Sequence, residues 1–443
     1  MIERLFHVRA AGSTPGREAL GGFTTFLTMA YILAVNPVFL TAAGMPLEGA
    51  IVATALSAAL GTLLMAFLAN YPIALAPGMG LNVFFAYGIC LGAKVPWQTA
   101  LGLVFWSGLL FVLLTVSGAR AVLVRAVPKV LVHAGAVGIG LFIAFIGLTQ
   151  GGLIKADPNT LVALGDLRSK PALLTLFGLG VSLLLAARSV RTAIFWGLAA
   201  TFAAALATGV VTPPAHLLSL PSPSLPGLSI DLLGALKLRY LPLVLVMLFF
   251  ALFDTLGTLM AIAHEAGLLR AGSGRESEEL PRLQRALTAD ALGMVGGSLL
   301  GTSTVTSYIE SGAGVGVGAR TGLASAVTGG LLALSLFAAP LVATVGKAAG
   351  VGANPVTAPA LILVGTLMVR AVREVDWQDP TEGLPAFFTA LLMPLTFNIS
   401  HGLAAGILVY ALAKTAAGRA REVHWLIYLL AGLLLLRYAL LPL

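Results

Sequence analysis

The chain has 443 residues, 58% of them hydrophobic and only 10% charged, with a mean hydropathy of +0.98. So few polar residues cannot clothe a water-soluble globule, which leaves a polytopic membrane protein in which helices do the spanning. The formal net charge of +8 has no clustered basic face behind it, so nucleic acid is excluded as a partner and the lipid bilayer is implied instead.

In chain order, MIERLFHVRAAGSTPGREAL is basic and amphipathic and lacks an apolar core followed by a small-residue cleavage site. It reads as a cytoplasmic segment over residues 1–19 and not as a signal peptide. A bilayer needs roughly 17 to 25 apolar residues per helix. Charge-free runs of that kind are predicted at 20–41, 49–69, 71–93, 95–119, 130–154, 171–187 and 192–211. The Pro-rich stretch 212–239 links two halves and can lay a short amphipathic helix on the outer surface. A second series follows at 240–263, 286–301, 302–319, 321–346 and 355–369. The run from Leu384 to Ala413 is interrupted by Pro394 and by Asn398-Ile399-Ser400-His401-Gly402, which predicts two short helices meeting at a break. That makes fourteen segments. Residues 423–443 are apolar enough to insert or to lie along the interface, and hydropathy leaves both open. The polar stretch 272–285 reads as a solvated cytoplasmic linker, and the lone Cys90, in an apolar run, as packing filler.

Lysine and arginine set the orientation. With a cytoplasmic amino terminus and alternating spans, eighteen of them fall inside and seven outside, with Arg437 left in the tail. This bias favours that orientation.

Two acids stand where a bilayer tolerates them least. Asp254 is the only formal charge between Arg239 and Glu265, and Glu310 is alone between Asp290 and Arg320. A charge at the bilayer centre costs about 2.5 to 3.5 kcal/mol on insertion scales, so such residues usually face an interior cavity. Internal symmetry points to the same place. FTTFLTMA from Phe23 and FDTLGTLMA from Phe253 align at an offset of 230 residues, and the same offset carries Gly80 onto Glu310. Both members of that pair lie in broken segments, APGMGLNVFFAYG and GTSTVTSYIESGAGVGVG, and paired breaks mark the binding site of a repeat transporter. Seven spans per half is odd, so the halves run in opposite directions. A half-helix ending at mid-membrane aims unpaired N–H groups at the gap, and a short extended stretch such as TSTVTS can pair with a partner strand under protein cover. Tight packing through small residues competes for Gly314, Gly316 and Gly318.

Together APGMGLN, FDTLGT, ADALGMVGGSLLGTSTVTSYIES and AYILAVNP resemble the nucleobase cation symporter-2 (nucleobase/ascorbate transporter) superfamily, in its adenine, guanine and hypoxanthine permease branch, from about Gly16 to the carboxyl end. The resemblance implies an all-α fold of fourteen segments in two inverted repeats of seven, with short strands in segments 3 and 10. A core domain would comprise 20–119 and 240–346, and a gate domain 130–211 and 355–416, with 417–443 as an apolar tail. It further implies an inner-membrane protein, proton-coupled uptake by alternating access, and a homodimer through the gate. By position, Glu310 matches the acid or amide of segment 10 that holds the base, Asp254 the substrate-contacting carboxylate of segment 8, and Asp290 a segment 9 acid linked to proton coupling. Two departures stand out: Ser311 where the signature usually has Asn, and Thr258 where uracil carriers have His.

The chemistry stands beside the resemblance. A carboxylate accepts two ring N–H donors while backbone N–H groups serve the acceptors, and protonation of a shielded carboxylate couples to binding. Asp254 and Thr258 stand one helical turn apart. The substrate-binding candidates are Asp254, Glu310, Thr258, Gly80, Asn82, Phe84, Tyr308 and Ser311, with Phe85 a further aromatic for stacking. The proton-coupling candidates are Asp254, Asp290 and Glu310. Against these, Asp254 and Glu310 can be structural acids bonded to Ser or Thr, Asp290 can serve a helix start, and the aromatics can be packing. No cofactor or metal site is expected, with H+ as the coupling ion and Na+ the alternative; His133 and His401 lack ligand spacing. The competing functions are a uracil or xanthine carrier, an anion carrier of the same fold, and an intramembrane hydrolase, for which no paired aspartates or Ser/His pattern is present.

Overall fold

The structure, a computed structural model, describes residues 2–117, 128–268, 270–271, 278–347 and 354–440. Arg120, Arg125 and Arg275 of the charge count, the end of the segment predicted at 95–119, and residues 272–277 of the polar linker lie outside the described residues.

After a short helix α1 (Ile2–Phe6), the first span is bent into α2 (Pro15–Met29) and α3 (Ile32–Ala42). It starts five residues earlier than the sequence predicts, because Thr14 caps it by accepting the Arg17 N–H at 3.3 Å and Pro15 occupies the first turn. Glu18 is thereby drawn into the protein, where its carboxylate accepts the N–H groups of Arg320 at 2.9 Å and Thr321 at 3.2 Å. Then come α4 (Leu47–Leu64), strand β1 (Leu75–Pro77), α5 (Met79–Val83) continued by wide π turns to Gly92, α6 (Trp97–Ser117) and α7 (Lys129–Gln150). A hairpin of β2 (Ile154–Asp157) and β3 (Leu161–Leu164) leads to α8 (Lys170–Ala187) and α9 (Ala193–Ala207). The linker 212–239 forms short 3-10 turns in place of the expected amphipathic helix. Its Asp231 is fixed by the Gly234 N–H at 2.8 Å and the Thr99 hydroxyl at 2.8 Å, which hold the carboxyl below its usual range.

The second half opens with α10 (Leu241–Glu265), the short pair β4 (Arg270–Ala271) and β5 (Glu278–Glu279), and α11 (Leu283–Leu300). Strand β6 (Val305–Ser307) and α12 (Ser311–Gly316) follow, then α13 (Gly322–Leu334), α14 (Ala339–Lys347) and α15 (Ala358–Val369). The interrupted run becomes α16 (Pro380–Leu395) and α17 (Ile399–Ala416), and α18 (Trp425–Leu440) is the last element among the described residues. The break falls at Thr396–Asn398, where Phe397 adopts φ 50° and the Asn398 side chain accepts the Ser400 N–H at 2.9 Å. Pro394 sits inside the last turn before it.

Among the described residues eight helices are long and apolar enough to cross a membrane. The other predicted segments are broken, as at 71–93 and 302–319, form helices too short for a full span, such as the 12 residues of α15, or, like the 18 residues of α11, are long enough but less apolar. The helices pack in two sets. In one, α2, α4, α6, α10, α11, α12 and α13 surround the strand pair; in the other, α7, α8, α9, α15, α16 and α17 pack on one another, with sparser contact between sets. Helices α7 and α15 cross where Gly140 and Gly365 face each other: a Cβ on Gly140 would lie 2.8 Å from the Gly365 oxygen, so only small residues permit this approach.

Candidate functional site

Strands β1 and β6 come from opposite halves of the chain and pair antiparallel, with Leu75 opposite Ser307, Ala76 opposite Thr306 and Pro77 opposite Val305. Such short strands survive at membrane depth because protein covers them on all sides, and all six residues are buried. Each leads into a short helix, α5 or α12. The crossing is pinned at both ends: the Gly78 N–H donates to the Thr304 oxygen at 2.9 Å, and the Tyr308 N–H to the Ala74 oxygen at 2.9 Å. Ser311 accepts the Ala74 N–H at 2.9 Å. The Tyr308 hydroxyl and the Asn82 amide both donate to the Pro77 oxygen, at 2.5 and 3.2 Å, and Ser303 donates to Asn82 Oδ1 at 2.5 Å.

Beside this crossing lies a cavity of about 280 Å³, at the small end of ligand pockets, which run from about 300 to 1,000 Å³. Asp254, Gly257 and Thr258 of α10 form one wall with Phe250 and Phe253, and Gly80, Leu81 and Ile309 close one end. Val132, His133, Ala136 and Ile139 of α7, with Met368 of α15, form the facing wall. The α10 wall follows helical spacing, since Asp254 and Thr258 differ by one turn. Asp254 is solvent-accessible on this cavity and accepts the Thr306 hydroxyl at 3.2 Å. The Thr306 and Thr255 hydroxyls are 3.1 Å apart, and Thr255 donates to Asp290 Oδ2 at 2.7 Å. Ser307 serves the other oxygen of Asp290 at 2.8 Å. A hydroxyl chain therefore runs from the cavity acid through β6 to a fully buried second acid.

Of the candidate residues, Gly80, Asp254 and Thr258 line the cavity. Glu310 lies next to its wall residue Ile309, is half-buried, and accepts the Tyr31 hydroxyl at 2.7 Å. It is within electrostatic reach of Asp254. Asn82, Tyr308 and Ser311 lie behind the wall, with their polar atoms taken up by the strand crossing. Phe84 and Phe85 are fully buried, and the Phe84 ring packs 6.4 Å from that of Phe250. Asp290 is not at a bare helix start but inside α11, bonded to two hydroxyls. Gly314 does pack tightly, against Gly21 and Thr25 of α2, whereas Gly318 has φ +111° and makes a turn. Tyr31, Thr255, Thr306, Phe253 and His133 were not singled out from the sequence as site residues; Tyr31 lies inside AYILAVNP and Thr306 inside TSTVTS, so those motifs were the available signal.

A family model described as "Permease family" matches residues 16–405, which is most of the chain and includes every residue of this cavity. The chain belongs to that family. This permease is 42% identical over 439 residues to the guanine/hypoxanthine permease PbuG of Bacillus subtilis, covering 96% of this chain and 97% of that one. It is 38% identical to the adenine permease AdeP of Escherichia coli, covering 99% of this chain and 96% of the relative. Among solved structures, the transmembrane domain of the cyanobacterial bicarbonate transporter BicA is similar with a TM-score of 0.61 at 17% identity, over 88% of this chain and 97% of that one. That likeness concerns the fold alone. The permease is a multi-pass membrane transporter and not an enzyme.

Proposed function

We propose that this permease takes up purine nucleobases such as adenine, guanine and hypoxanthine together with a proton, by alternating access. The observation that carries the reading is the cavity itself: a solvent-accessible carboxylate and a hydroxyl one turn apart on an otherwise aromatic and aliphatic wall. A flat neutral heterocycle fits that surface, its ring N–H groups donating to Asp254 and its faces lying against Phe250 and Phe253. Relatives named as purine permeases at 38% and 42% identity support the same substrate class. Asp254 is the proton-binding candidate facing the cavity, with Glu310 beside it and Asp290 at the buried end of the hydroxyl chain. Na+ is the alternative coupling ion.

The architecture in this reading is fourteen segments in two inverted repeats. Its support is the strand crossing, whose central pair Ala76–Thr306 shares the offset of 230 residues seen between Gly80 and Glu310. An antiparallel pair centred on equivalent positions is what a two-fold axis through the crossing generates. The two packing sets correspond to a core domain that carries the acids and a gate domain that supplies the facing wall. Placement in the inner membrane with a cytoplasmic amino terminus, and a homodimer through the gate, complete the proposal.

An anion carrier of the same fold is the second reading, because helix amino termini such as those of α5 and α12 beside the strand crossing attract anions. Asp254 and Glu310 oppose it, since they repel an anion in the same space. Uptake of labelled hypoxanthine and adenine against labelled sulfate, at two pH values and with a protonophore, separates them. Purine accumulation that collapses with the protonophore is expected; sulfate accumulation without purine uptake overturns the proposal.

A further inference from the structure

The wall opposite Asp254 carries a feature that the acid-centred reading does not use. Its side chains are Val132, His133, Ala136 and Ile139 of α7 and Met368 of α15, and His133 is the only polar one among them. It is half-buried, and among the described residues its ring makes no hydrogen bond. Both walls border one cavity of about 280 Å³, so a bicyclic base seated on Asp254 would turn its far edge toward this wall. A purine is polar around its whole rim, so the edge turned away from Asp254 meets either aliphatic carbon or the imidazole. Leaving ring nitrogens or a carbonyl against carbon forfeits their water without replacement.

We infer that His133 is a specificity-determining residue of this permease, which hydrogen-bonds the edge of the heterocycle opposite the one held by Asp254. A neutral imidazole suits the task because one nitrogen donates and the other accepts, so it can address a ring nitrogen, a carbonyl or an amino group. The inference also gives the facing wall a role in discrimination. α10 holds the feature common to purines, and α7 reads the substituents that separate them. A site built to pair with a substrate group rejects the analogue lacking it far more strongly than a carbon wall does. The inference rests on the purine-transport reading and deepens it.

The test is uptake kinetics and competition by purine analogues in His133→Phe, which keeps a planar ring without its hydrogen bonds, and His133→Asn, which keeps a donor and an acceptor. Expression and monodispersity in detergent confirm that each variant is folded. In His133→Phe the KM for the preferred purine is expected to rise roughly tenfold or more, with a compressed ranking of analogues that differ in a single exocyclic group. In His133→Asn the ranking is expected to be altered but not flattened. A wild-type KM and competition profile in folded His133→Phe overturns the inference. Asp254→Asn, run in parallel, distinguishes the failures. If it abolishes uptake while His133→Phe changes nothing, the cavity reading stands and the His133 role falls; if neither changes uptake, the cavity is not the site.

Discussion

Tyr31 and Glu310 meet from opposite halves of the chain, and the phenol donates to the carboxylate at 2.7 Å. A hydrogen bond to a charged group is worth about 1.5 to 3 kcal/mol, so Tyr31→Phe is expected to lower uptake kcat/KM by roughly ten- to a hundredfold while leaving insertion intact. Labelled purine uptake normalised to membrane-resident protein checks this. At the buried end of the hydroxyl chain the logic is structural first. Thr255→Val removes a donor from Asp290, which is fully enclosed, and about 1 to 3 kcal/mol of stability is expected to go with it, read as a lowered unfolding midpoint in detergent. Thr255→Ser is expected to restore it. Asp254 was legible in the sequence because one charge among apolar neighbours is a local signal. Tyr31 and Thr306 were not, because a hydroxyl in a membrane helix or a β-stretch has no local mark of the distant acid it serves. Asn82, Tyr308 and Ser311 sit in the right motifs, yet their polar atoms are directed into the strand crossing, a distinction that only the pairing register reveals.

Glycine, proline and serine marked the broken elements well. The breaks predicted at 71–93 and 302–319 are where β1 and β6 lie, and the break in the Leu384–Ala413 run falls at Thr396–Asn398. Helix starts were less legible, because caps act before the apolar run begins: Thr14 and Asp379 each extend a helix into polar sequence. Asp379 also accepts the Arg419 guanidinium at 2.6 Å, tying the start of α16 to the turn after α17. Arg419, then the Thr381 hydroxyl and N–H, holds the Asp379 carboxyl at about 2, below its ordinary 3.8. A depressed folded-state value gives stabilisation that is full above the ordinary value and lost as pH falls toward the depressed one. The unfolding midpoints of the wild type and Arg419→Ala are therefore expected to differ at neutral pH and to converge as the pH approaches 2. A gap that persists at that pH would contradict the assignment.

Among the described residues of the whole molecule the two packing sets touch at few places, and one of them is Arg191. Its guanidinium donates to the carbonyls of Gly312 and Ala313 at 3.1 and 3.2 Å and lies 3.8 Å from Glu265, joining the turn between α8 and α9 to the ends of α12 and α10. It touches no wall of the cavity. Arg191→Ala is accordingly expected to change maximal uptake velocity while KM stays near the wild-type value, which a concentration series of labelled purine measures. The class of the molecule was readable from composition, and one of the two isolated acids, Asp254, marked the helix that lines the candidate cavity. The cavity's facing wall was not, because Val132, His133 and Met368 are ordinary residues until tertiary packing sets them opposite Asp254. The central claim, that the purine occupies this cavity, is most directly tested at Gly257. It lines the space, and a Cβ there meets nothing within 4 Å. In a Cys90→Ser background, Gly257→Cys is expected to react with a small maleimide and to be protected by a transported purine but not by sulfate. Undiminished labelling at a saturating concentration of that purine would contradict the account.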